Sequence, residues 1–323
     1  QEMLIHLHSQ ISLSLRSVAD TQASHRSNSK NFHFFALEKN DSDCSSPVQL
    51  GDVHRFVKLI TRSIRKCGAR VYVACAKPTD PILFSNTALM LGSYMILTLG
   101  MEVEQVSNAF RPAEQFFIEF SDASSDVSVT LLNCWQALHK VRSLGWVDFL
   151  SESDLTPESA RISAFDMDEY NHYIDPANGG LHIIAPGRLL FIPSPVDIPD
   201  GRDWMDSEIG RRFSPIFIAD LLAAEFRTAL VISLSHERSD MDYDTSAFEE
   251  RGIAMEVISM GPHGSPHHLL AAADRLLELL RAAPGAVAVH VQGPGACGGG
   301  SAGVLLATGL MRVFGFSAGE AAA

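Results

Sequence analysis

The chain has 323 residues, 46% of them hydrophobic, with a formal net charge of −13 and a pI near 5.4. That length and apolar content suit about two globular domains, each able to bury its own core. The acidic balance argues against nucleic acid or an anionic membrane as the main partner, since both need a basic footprint, and it favours basic ligands or other proteins.

Residues 1 to 30 are rich in Ser, His and Gln, and Ile11-Ser-Leu-Ser-Leu15 alternates as a strand or an amphipathic segment would. His6 and His8 in this stretch suggest no more than strand alternation. A helix is expected over Val53 to Cys67, then a strand over Val71-Tyr-Val-Ala-Cys-Ala76, then a helix over Ala88 to Glu104. The longest apolar run, Thr87 to Met101, is too short to span a bilayer and reads as a buried core helix. Ser151-Glu-Ser-Asp-Leu-Thr-Pro-Glu-Ser159 mixes turn formers and acids, with Thr156-Pro as a helix start, and places a domain boundary near 150 to 165. Beyond it, Leu189 to Pro193 and Thr228 to Leu234 read as strands, and Pro215 to Glu225 and Ser265 to Arg281 as helices. Alternating strands and helices imply a mainly parallel sheet.

One unit occurs twice. Val71 to Ala76 lies 215 positions before Ala286 to Val291, Ala88 to Glu104 lies 215 before Gly303 to Gly319, and Val53 to Cys67 lies 215 before His268 to Ala282. Two tandem domains of helix, strand, loop and helix follow, with connecting loops of equal length.

The second copy has the frame of a phosphate-binding loop. Ala286-Val-Ala-Val-His290-Val291 is followed by the glycine-rich Gln292 to Ala302. The frame resembles the cysteine-phosphatase signature, in which a strand ends in His-Cys, five residues follow, and Arg then Ser or Thr open a helix. Other stretches are similar to the cell-division-cycle-fourteen family of dual-specificity phosphatases. They are Thr87-Ala-Leu-Met-Leu-Gly-Ser-Tyr94, Phe165-Asp-Met-Asp-Glu-Tyr-Asn-His-Tyr173, Ile184-Ala-Pro-Gly-Arg-Leu-Leu-Phe-Ile-Pro-Ser-Pro195 and Met311-Arg-Val-Phe-Gly-Phe316. The resemblance runs from residue 32 to the last residue. It implies an α/β fold of two phosphatase-like domains, each a mainly parallel sheet flanked by helices. Residues 1–150 form a noncatalytic first domain, 151–165 a linker helix region and 166–323 the second domain. The family would continue with further helices after Ala323, so the chain is expected to be a fragment.

Against that frame the chemistry is missing. Val291 stands where the nucleophilic Cys belongs, and no Lys or Arg occurs from Ala282 through Met311 to hold phosphate oxygens. Cys297 could be offered as a displaced nucleophile, but Gly303 stands six residues on, where its Arg would be. The general acid is implied near Val257-Ile-Ser-Met260, where Met260 replaces Asp. In the first copy, Cys75 is followed six residues later by Pro81. The expectation is therefore a catalytically inactive phosphatase homologue serving as a scaffold or protein-binding component.

Other readings stay open. Gln292, Gly293, Gly295, Gly298, Gly299, Gly300 and Ser301 could still offer N–H groups to an anion at a helix N-terminus. The resemblance implies an acidic groove for basic peptides at Asp166, Asp168 and Glu169; the competing reading is that these residues cap a helix and pack the domains. Together these features would make a trap for proline-directed phosphoserine peptides. Gly293-x-Gly295-x-x-Gly298 also satisfies a dinucleotide fingerprint, though the chain lacks room for the next strand with its ribose-binding acid. His263, His267 and His268, with His290, could be imagined around a metal, but no Cys or carboxylate joins them at a ligand interval, so they read as exposed loop histidines. No cofactor or metal is expected. Cys44, Cys67, Cys75, Cys134 and Cys297 show no paired spacing, which suggests reduced thiols in the cytosol or nucleus. The resemblance further implies a cytoskeletal home, in a cilium, centrosome or spindle, with protein partners and no membrane insertion.

Overall fold

The computed structural model describes residues 4–24, 32–37, 47–67, 71–121, 128–147, 166–207, 210–236, 241, 243–261, 265–292 and 300–323. The expected linker and its helix start at Thr156 lie outside the described residues. The chain divides into two compact units, one reaching Ser163 and the other spanning Ala164–Ala321.

The first unit runs β1 (Leu4–His8), β2 (Ile11–Ser14), α1 (Val18–Ser24), β3 (Phe32–Phe35), α2 (Leu50–Cys67), β4 (Val71–Cys75), α3 (Pro81–Leu97) and α4 (Val103–Phe110), then the short pair β5 (Phe120–Ser121) and β6 (Ser128–Val129), and α5 (Leu131–Ser143). Its sheet has the order β1-β2-β4-β3, with β4 parallel to both neighbours and β1 antiparallel to β2. The near-continuous apolar reading of β4 follows from burial on both faces. Helix α3 is apolar all round and buried from Thr87 through Leu97, as a central core helix must be. Pro81 opens it and Asp80 caps it, accepting from the Leu83 N–H at 3.1 Å.

The second unit runs α6 (Met167–Ile174), β7 (His182–Ala185), β8 (Leu189–Phe191), β9 (Trp204–Ser207), β10 (Gly210–Phe213), α7 (Pro215–Ala224), β11 (Thr228–Ser235), α8 (Ser246–Glu250), β12 (Ala254–Ser259), α9 (Pro266–Ala282), β13 (Ala286–Val291) and α10 (Ser301–Phe314), with α11 (Ala318–Ala322) after it. The sheet order is β12-β11-β13-β8-β7; all its pairings are parallel except β7 with β8. Its core gathers Leu190, Ile192, Phe213, Leu222, Val231 and Phe248. Each such side chain contributes about 1.5–3 kcal/mol by leaving water.

The two sheets share a topology in which a hairpin edge feeds the strand that ends in the loop. Ile11 pairs with Tyr72 in the first, and Leu189 pairs with Val287, the residue 215 positions after Tyr72, in the second. The duplication extends past the expected helix. Gly100 and Gly315, also 215 apart, both take left-handed φ of 70° and 71°. The next residue folds back in each copy: the Met101 N–H donates to the Met95 carbonyl at 3.1 Å and the Phe316 N–H to the Leu310 carbonyl at 3.4 Å.

These turns correct the helix expected over Ala88 to Glu104 and its copy over Gly303 to Gly319. Helix α3 stops at Leu97, with α4 starting at Val103, and α10 stops at Phe314, with α11 starting at Ala318.

Candidate functional site

Strand β13 is the centre of its sheet, held in parallel register by β11 on one side and β8 on the other. Val291 is its last residue, opposite Leu234, and the N–H of Gln292 donates to the Leu234 carbonyl at 2.9 Å. Slipping this strand by one residue would turn a whole set of buried side chains to the wrong face. Position 291 is therefore fixed at the end of the strand.

His290, just before it, is fully buried. Its Nε2 lies 2.9 Å from the Tyr243 hydroxyl, and the rings sit 5.6 Å apart. Burial pushes its pKa down to about 4, with the Val291 backbone acting in the other direction. The ring is neutral at physiological pH. Its Nδ1 makes no well-formed hydrogen bond among the described residues, and neither does the hydroxyl of Ser233, its buried partner across the sheet. Nothing in the sequence marks Tyr243 as this partner, because the pairing depends on how the segment between β11 and α8 folds back.

Gly293, Gly295, Cys297, Gly298 and Gly299 lie outside the described residues, so both the displaced thiol and the dinucleotide fingerprint do too. The far side of the loop is described. Gly300 is the N-cap of α10, at φ 64° and ψ −130°, and provides no side-chain cap for the first turn opened by Ser301. Helix α10 is anchored beneath by Ala302, Leu305, Leu306 and Gly309, the last passing close to Leu280 and Leu189.

The corresponding loop of the first unit is closed by its own chain, because the Asp80 carboxylate already sits on the N-terminus of α3. The position matching His290 is Cys75, whose thiol is buried, 3.6 Å from the Thr21 hydroxyl. Burial pushes its pKa up, with the Thr21 bond opposing. That thiol is a core group rather than an activated nucleophile.

Met260 follows β12 and is buried, its N–H donating to the Ser235 carbonyl at 2.7 Å. A thioether in this position has no proton to give. Asp166 serves as the N-cap of α6, accepting from the N–H groups of Asp168 and Glu169 at 2.9 and 3.1 Å. Glu169 is half-buried, and its pKa is raised by burial first, then by the charges of Asp166 and Glu225. The three acids thus stand together on the first turn of α6, where they favour the helix dipole. His267 and His268 lie in the first turn of α9 rather than in a loop, because Pro266 starts the helix; His268 Nδ1 lies 2.8 Å from the Ser265 hydroxyl. His263 lies outside the described residues. Among the described residues, no group of three His, Cys, Asp or Glu side chains is placed to hold a metal, and no helix is long and apolar enough to cross a membrane.

Comparison with known proteins matches residues 15–141 to the family described as dual specificity protein phosphatase, N-terminal half. Over 299 residues the chain is 24% identical to dual specificity protein phosphatase CDC14C of Symphalangus syndactylus, covering 90% of this chain and 56% of the relative. Its Homo sapiens counterpart is 25% identical, with 90% and 60% covered. Dual specificity protein phosphatase CDC14B of Mus musculus is 24% identical over 302 residues, with 91% and 56% covered. The chain thus spans a little over half the length of these relatives.

Proposed function

The chain belongs to the CDC14-type dual-specificity phosphatases, and from that premise we propose that it is a catalytically inactive member whose two units bind other proteins. The observation that carries this reading is Val291, held at the end of β13 by paired strands on both sides. A thiolate there would attack phosphorus; an isopropyl group has no lone pair to offer. The lack of any Lys or Arg from Ala282 through Met311 supports the same reading, since the equatorial oxygens would have no guanidinium to hold them. Met260, buried and without a titrating group, supports it at the acid position. By family likeness alone, a cytoskeletal setting such as a cilium, centrosome or spindle pole is part of the proposal.

The test is turnover of para-nitrophenyl phosphate by the whole chain and by Cys297→Ser. A rate equal to the buffer blank for both is expected. A rate that Cys297→Ser abolishes would overturn the reading, because Cys297 is the one cysteine between Ala164 and Ala321.

A second reading, a trap for phosphoserine-proline peptides, is favoured by one feature. Gly300 leaves the start of α10 without a side-chain cap, whereas Asp80 closes α3. Titration calorimetry with a phosphoserine-proline-lysine peptide and its unphosphorylated twin separates the two readings: binding that needs the phosphate supports the trap, and binding indifferent to it removes the trap.

A further inference from the structure

Helix α2 in the first unit carries charges of nearly one sign. Its exposed face presents Arg55, Lys58, Leu59, Arg62, Arg65 and Lys66, spaced so that they form one stripe, while Val53, Phe56, Val57 and Ile60 pack inward. Asp52, paired with Arg55, is the single acid of the helix. This stands out in a chain whose net charge is −13.

A solvated helix face ordinarily mixes signs, because like charges at i and i+4 repel. The helix that matches α2 in the second unit, α9, does so, with Asp274, Arg275, Glu278 and Arg281 exposed together. Arg65 and Lys66 are accounted for by the helix C-terminus, which favours cations. Lys58 and Arg62 are not: they stand four residues apart in mid-helix as a like-charge pair. Between the cations sits Leu59, 63% exposed.

We propose that the outer face of α2 is a docking surface for a short acidic segment of a partner protein. From Arg55 to Lys66 the stripe is about 17 Å long, at 1.5 Å per residue. An extended peptide of about five residues covers that length, at roughly 3.3 Å each. Acidic side chains at the first and fifth positions of such a peptide meet cations of the stripe, and an apolar side chain at the third position, on the same face of the extended chain, covers Leu59. A nucleic-acid duplex or a bilayer extends well beyond one helix and needs a wider basic footprint than this single stripe offers. The proposal does not depend on whether the glycine-rich loop binds phosphate.

The test is fluorescence anisotropy of a labelled Glu-rich peptide with one central Leu, titrated with the full chain at low and moderate salt. Saturable binding that weakens as salt rises is expected. The double variant Lys58→Glu/Arg62→Glu weakens it on the order of tenfold. Lys58→Gln/Arg62→Gln, which only removes the charges, gives a smaller loss in the same direction and serves if the reversal impairs folding. An absence of binding at low salt, or binding unchanged in both variants, overturns the proposal. So does a DNA duplex or a phosphatidylserine vesicle that binds as tightly as the peptide and loses its affinity in the same variants.

Discussion

The Tyr243 hydroxyl and His290 Nε2 form a buried hydrogen bond of 2.9 Å across 47 positions of sequence, joining the segment before α8 to the central strand that ends at Val291. Tyr243→Phe removes the hydroxyl and strands a buried ring nitrogen. The expected loss is about 1–3 kcal/mol, read as a lower urea midpoint with an unchanged slope.

The same histidine makes stability depend on pH. Its folded pKa of about 4 lies below the ordinary 6.5, so between these values the unfolded chain binds the extra proton. The contribution is fully present above pH 6.5 and is lost progressively as pH falls toward 4, by roughly 3 kcal/mol in total. His290→Phe flattens this part of the profile, which urea unfolding at several pH values between 4 and 7 measures directly.

How much of this could be read beforehand varies by element. The repeat was plain in the strands and the paired helices, because the same apolar pattern recurs at one fixed interval. The end of α3 was hidden by the apolar run to Met101, and the informative residue was Gly100, which turns the chain before that run is finished. The place of Val291 as the last residue of β13 was legible because the apolar strand has a defined end before the glycines. The role of Asp166 was open between groove and cap; its two backbone acceptor contacts on α6 could be found only in three dimensions. Tyr243 was not legible at all, since a hydroxyl in an acidic stretch carries no sign of its distant partner.

Gly92 in α3 faces the indole of Trp135 in α5, so closely that a Cβ there would overlap the ring. Trp135 is itself stacked on Phe110 at 5.1 Å and cannot swing away freely. Gly92→Ala therefore overpacks the first unit and lowers stability by about 1–3 kcal/mol. A thermal unfolding scan beside the wild type checks it.

Cys75 and Cys134 are both buried, and burial pushes the Cys134 thiol up to about 12. Neither thiol forms a reactive thiolate in the folded chain near pH 8. Peptide mapping after iodoacetamide treatment is expected to find both unmodified in native protein and modified once denaturant is added.

Val291→Cys supplies a sulfur at the end of β13 but no guanidinium and no general acid. These groups act as a set, so the variant is expected to remain at the blank rate with para-nitrophenyl phosphate. Measurable turnover by this single change would mean that the rest of the site is intact.

The central claim is best tested by following a phosphoserine-proline-lysine peptide by phosphorus NMR in the presence of an equal concentration of the whole chain. The peptide resonance is expected to keep its full intensity, with no inorganic phosphate growing in over hours. Inorganic phosphate that accumulates with wild-type protein and fails to accumulate with Cys297→Ser would contradict it.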